Sequence, residues 1–300
     1  MPDLRVDDLR YNETVRADLK AHHLEREGSF AWFYSDNMGY VTIGIGHLVK
    51  TKDDARALAG QSGLDFTYTP KPDPKAKPGT PPPRARVATA DDLAEDWQTV
   101  TDHYKATKQG SGRKYETVSG LRLSEGGIDV LYRKKVDGLI ERLYTVKPFM
   151  RFYDARIAAA FVDVAYNPTG LNPWNPVKQT GVVSALDVAR VQMMWRRLNP
   201  WDVLYDPHAG LVEFASIWGV RGGKNRKRYM ERHMKRSRMF LAGMDGSGVP
   251  APQREMVLGT PGAEPRTGWK QRAKQTGLGG TGAKLTPPEM WPLLREVLDP

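Results

Sequence analysis

Glu27, Asp36 and Thr42 stand nine and six positions apart in the stretch EREGSFAWFYSDNMGYVTIGIGH, residues 25–47. Two carboxyl groups beside a hydroxyl can run acid/base chemistry on a glycosidic bond. One carboxyl protonates the leaving oxygen, and a second polar assembly directs water to the opposite face of the sugar. In YVTIGIGH, strict alternation puts Val41, Ile43 and Ile45 on one face of a strand and Thr42, Gly44 and Gly46 on the other. The second face is nearly bare, which lets a flat polymer approach the backbone. Taken alone, a helix-ending Glu and a turn Asp also have a plainer structural reading, and that reading carries more weight.

These residues need elements to hold them. NETVRADLKAHHLERE reads as a helix from an Asn12 N-cap to Glu27-Gly28, and SDNMG as a hairpin turn with Gly39 at a positive-φ position. Residues 69–86 carry seven prolines and read as a tether or surface loop. Helical periodicity returns over 91–108 and over 124–144, where Ile128, Leu131, Val136, Leu139 and Leu143 form one apolar stripe. Ile157, Phe161, Val164 and Ala165 have the spacing of a packed core helix, stopped by Pro168 and Gly170. Residues 182–197 and 224–240 read as further helices. The chain from 243 to 285 reads as irregular or as ordering on a partner, with a short helix near the end.

Three hundred residues at 40% hydrophobic content suffice for a sizeable core. The net charge of +10 predicts attraction to polyanions, among them nucleic acid, anionic lipid and acidic wall polymers. With no cysteine, disulfides and thiolate metal sites are excluded, and no metal or other cofactor is expected. The first twenty residues lack the flank and apolar core of a secretory signal. No stretch approaches the roughly 18 apolar residues of a membrane span.

The block Glu27-Gly28, Tyr34, Asp36, Gly39-Tyr40 and Thr42 to Leu48 resembles, without a gap, the active-site motif of the phage lysozymes of glycoside hydrolase family 24. SEGGIDVLYRKKVDGLI is similar to that family's helix joining two lobes, KPFMRFYDARIAAAFVDVAYN to the start of its C-terminal lobe, and GGKNRKRY to its basic Asn-Arg segment. The resemblance spans roughly 20–240, interrupted between about 60 and 120. It implies an α+β, lysozyme-like fold. A small N-terminal lobe with a β-hairpin or sheet would be joined by a long helix to a mainly helical C-terminal lobe. The organisation that follows is an N-terminal extension (1–19), a catalytic lobe (20–60), a family-atypical insertion (61–122), the joining helix and C-terminal lobe (123–242), and a Gly/Pro-rich tail (243–300).

Carried over by position, the resemblance makes Glu27 the general acid, Asp36 the group that positions or activates water, and Thr42 its helper. Arg226 becomes the partner of Glu27. To donate, Glu27 must hold its proton beside a cation, and only partial burial can supply that. Gly46 and Leu48 fall on the near wall of the family's substrate cleft, and Tyr166 and Asn167 on the opposite wall. Tyr166 serves equally as an aromatic that ends an amphipathic helix and packs locally. The family's ion pair between the motif histidine and an acid on the joining helix cannot form at His47, because the aligned residue is Lys135.

The resemblance implies a muramidase that cuts the β-1,4 bond between N-acetylmuramic acid and N-acetylglucosamine in peptidoglycan. A virion or tail protein using the same fold for docking or wall binding is the alternative, with residues 61–122 or 243–300 meeting phage partners. A lytic transglycosylase needs the acid but no water-directing Asp36. The expected location is the phage virion, or the host cytoplasm before release, with action on the periplasmic wall. Residues 224–238 carry eight Lys or Arg against one Glu. They read as a solvated helix face or as a surface drawn to the anionic wall, and no nucleic-acid-binding module accompanies them.

Overall fold

The computed structural model describes residues 8–71, 81–166, 185–200 and 202–204, with single positions at 210, 214, 236, 239, 240, 242 and 243. The chain has an α+β fold of helices with two small antiparallel sheets. It divides into two compact units, one of residues 20–138 and one of residues 1–19 with 139–300.

In the 20–138 unit, β1 (Phe30–Ser35), β2 (Val41–Gly44) and β3 (His47–Leu48) form one sheet in that order. The second sheet has the order β5-β4-β6, with β4 at Phe66–Tyr68, β5 at Arg86–Val87 and β6 at Leu121–Leu123. The helices are the end of α1 (Glu13–Glu27), α2 (Lys52–Arg56), α3 (Ala90–Thr107) and the start of α4 (Glu125–Val146). Asn12 caps α1, its Oδ1 accepting from Val15 N at 2.9 Å. Thr51 and Thr89 open α2 and α3 with reciprocal capping boxes, each exchanging hydrogen bonds with an Asp three residues on. α3 packs against both α2 and β1. Buried Asp96 on α3 accepts from Ser119 Oγ at 2.5 Å and Gly120 N at 2.8 Å, which fastens the helix to the entry of β6. Burial raises the Asp96 pKa against those two bonds.

In the other unit, Leu9 N donates to Tyr144 Oη at 3.1 Å, tying the N-terminal residues to the end of α4. α5 (Ala155–Tyr166) is buried on all sides rather than along one stripe; only Arg156 and Ala165 are partly exposed. Phe161 stacks on Trp195 of α6 (Ala185–Leu198) with ring centroids 4.5 Å apart, and Phe214 and Phe240 close on its other sides. Asp163, fully buried within this aromatic helix, pairs with Arg236, which is itself only 2% exposed.

Several sequence expectations change here. The strand expected through residue 46 stops at Gly44, and the chain turns at Ile45-Gly46 into β3. On α4 the buried stripe takes Ile140 in place of Leu139, together with Ile128, Leu131, Val136 and Leu143. Residues 61–122 show three strands that the sequence pattern did not reveal, because β4, β5 and β6 are only two or three residues long. The Pro-rich 69–86 stretch is flanked by paired backbone: Thr69 N donates to Gly120 O, and Arg86 pairs with Tyr68. Within the basic run, Arg236 is buried rather than on a solvated face. The rest of 224–238 and the 244–300 tail lie outside the described residues.

Candidate active site

α1 ends at Glu27 because Gly28 takes a left-handed φ of 73° and its N–H caps Leu24 O at 3.0 Å. That leaves the Glu27 side chain half-buried at a helix terminus, beside the first strand. On β1, alternation puts Phe30, Trp32 and Tyr34 on one face, and the Phe30 and Tyr34 rings meet edge to face at 4.8 Å.

Asp36 opens the five-residue turn to β2. Its backbone N–H donates to Tyr40 O at 3.0 Å, and its Oδ1 accepts from Met38 N at 2.8 Å and Tyr40 N at 2.9 Å. Gly39, at φ 87°, lets the chain close. Asp36 therefore has the turn-capping role of the plainer reading, through one oxygen. Among the described residues, Oδ2 takes no hydrogen bond.

The hairpin register sets Tyr34 directly across from Thr42. The buried Tyr34 phenol has its pKa pushed up, first by burial, then by the negative charges of Glu27 and Asp36. One hydroxyl thus lies within the field of both carboxylates, on the residue paired with Thr42. The Thr42 hydroxyl donates to Tyr40 O at 3.2 Å, so what it offers other partners is lone pairs. The sequence pattern gives Tyr34 no role of its own; the register does.

The glycines of YVTIGIGH do other work than alternation suggests. Gly44 and Gly46 have φ of 63° and 69°, both left-handed, and they bracket Ile45 in a tight loop that returns the chain so that Ile43 faces His47 and Thr42 faces Leu48. A side chain on Gly44 would meet Ile128, so this position faces α4. Gly46 is half-buried, and Leu48, 41% exposed, flanks Thr42 on the solvent side with Tyr40 at 55%.

Lys135 replaces the missing His47 ion pair with a different fastening, its Nζ donating to Gly46 O at 2.7 Å. Burial, then the Lys135 and Lys134 ammonium groups, lower the His47 pKa to about 4. The unfolded chain therefore takes up this proton near pH 6.5 while the folded chain does so only near about 4. Stability contributed by His47 is full above pH 6.5 and falls as the pH drops from there to about 4. An NMR titration of the His47 ring is expected to show a midpoint near 4; a midpoint near 6.5 would contradict this placement.

Tyr166 ends α5 and is 5% exposed, as a packing residue would be. Arg226 and Asn167 lie outside the described residues. No group of three or more His, Asp or Glu able to hold a metal occurs among the described residues, and no helix there is long and apolar enough to cross a membrane. Comparison with protein-family models, with curated proteins and with solved structures found no match.

Proposed function

We propose that the chain is a peptidoglycan hydrolase, a muramidase of the phage lysozyme type that cuts the β-1,4 bond after N-acetylmuramic acid. The observation that carries this reading is the hairpin register that sets buried Tyr34 directly across from Thr42, within the field of both Glu27 and Asp36. Together with the gapless motif, it supports a single polar cluster rather than two unrelated carboxylates. In the proposed reaction, Glu27 delivers its proton to the glycosidic oxygen as the bond to C1 breaks. Water, its proton passing to Asp36 Oδ2, bonds to the same carbon. Thr42 holds that water as an acceptor, its own proton being committed to Tyr40 O. The +10 net charge draws the enzyme to the anionic wall.

Mass spectrometry of the muropeptides released from purified sacculi tests bond and reaction type together. Reducing N-acetylmuramic ends are expected. Anhydro ends would replace hydrolysis by transglycosylation, and binding to sacculi without any released product would favour the docking or wall-binding alternative.

A further inference from the structure

Residues 104–115 come from the segment that the family motif does not cover, yet they contact the turn that carries Asp36. The Tyr104 hydroxyl donates to Asn37 O at 3.1 Å, and its ring fills the space beside Gly39, where a Cβ would lie 2.5 Å away. α3 then stops at Lys108, whose left-handed φ of 54° turns the chain back. Gly110 is thereby laid against the Asp36-Asn37 peptide so closely that a Cβ would overlap the Asp36 carbonyl oxygen and sit 2.5 Å from Asn37 N. Next along, Gly112 O accepts from Trp32 Nε1 at 2.8 Å, and buried Tyr115 donates to Gln109 O at 2.7 Å. α3 is itself anchored by Trp97 Nε1 donating to Val49 O at 2.9 Å and by the Asp96 bonds.

The turn has little packing of its own, since Asn37, Met38 and Tyr40 are exposed. A carboxylate that must meet water and sugar within a fraction of an ångström needs support from a rigid element.

We propose that Tyr104 and Gly110 are positioning residues, the contact points through which the 90–115 segment fixes the Asp36 carboxylate for reaction. The proposal rests on the hydrolase reading. It gives an internal, site-building purpose to part of the segment that otherwise offers itself as a partner-binding insertion.

The test uses the full chain carrying Tyr104→Ala or Gly110→Ala, with Tyr104→Phe as the variant that keeps the ring and loses only the donated bond. Hydrogen exchange of the Met38 and Tyr40 amides, both donors to Asp36 Oδ1, reads the turn without reference to activity. Exchange is expected to quicken by about tenfold or more in the two Ala variants, while the Gly28 amide at the end of α1 keeps its wild-type rate. On soluble glycan fragments, kcat is expected to fall about 10²-fold with KM nearly constant, the cost of a misplacement of about 1 Å, and Tyr104→Phe is expected to fall between. Unchanged Met38 and Tyr40 amides would overturn the brace. Faster exchange with wild-type kcat would overturn its part in positioning. A wild-type protein that cleaves no glycan would overturn the hydrolase reading instead, and the amide measurements would still judge the brace.

Discussion

Glu27→Gln is expected to lower the rate of glycan cleavage by about 10²–10⁴-fold, the usual contribution of a positioned general acid. The amide is close to the carboxyl in size and stays at the same helix end, so the change in melting temperature should be small beside the loss of rate. Loss of rate at unchanged stability is what separates a proton donor from a helix-ending Glu. Asp36 allows a sharper version of the same comparison, because Met38 N and Tyr40 N both donate to its Oδ1 while Oδ2 takes no hydrogen bond among the described residues. Asp36→Asn keeps an acceptor for both amides, whereas Asp36→Ala removes it. If Asp36 only caps the turn, Asn is near wild type in turnover and Ala alone is impaired. If it accepts a proton from water, both lose turnover, and only Ala also loosens the turn. A Glu27→Gln protein that released muropeptides at the native rate would end the acid assignment.

The second large effect concerns stability. Asp163→Ala is expected to destabilise its unit by about 3–5 kcal/mol, because Arg236 would be left buried without its carboxylate. Arg236 also donates to the Asp163 backbone carbonyl at 3.1 Å, and a neutral carbonyl is a weak substitute for a carboxylate inside an aromatic cluster. Replacing both residues together by Leu and Met should recover most of the loss, since well-packed apolar pairs often match buried ion pairs. Urea denaturation of the wild type and the two variants measures both claims. A loss below about 1 kcal/mol for Asp163→Ala would show that water reaches the pair.

How much of this was legible beforehand differs by element. α1, α3, α4 and α5 announce themselves through apolar spacing and caps, because a helix writes its period into local sequence. The catalytic candidates were legible as residue types at a recognisable spacing, and the register that sets Thr42 across from Tyr34 follows from the hairpin turn. The second sheet was not legible, because strands of two or three residues hold too few positions to alternate. The glycines at 44 and 46 misled for a physical reason. Alternation of side chains says nothing about φ, and a Gly at every second position fits a bare strand as well as a left-handed loop. Nothing local marks Asp163 as half of an ion pair, and its partner, 73 residues later, lies in a run whose other cations suggest solvent. Tyr104 and Gly110 carried no local signal at all, since each matters only through a distant stretch of backbone.

That distance has a kinetic side. The β1–β2 hairpin joins residues close in the chain and can form early and locally, but its braces arrive over separations of 67 residues for Tyr104 to Asn37 and 80 for Trp32 to Gly112. Closing loops of that length is the slow part of folding. The shape of the Asp36 turn is thus encoded locally, while its rigidity depends on contacts of long sequence separation. Until those contacts close, the Asp36 carboxylate stands on a turn that only its own hairpin supports.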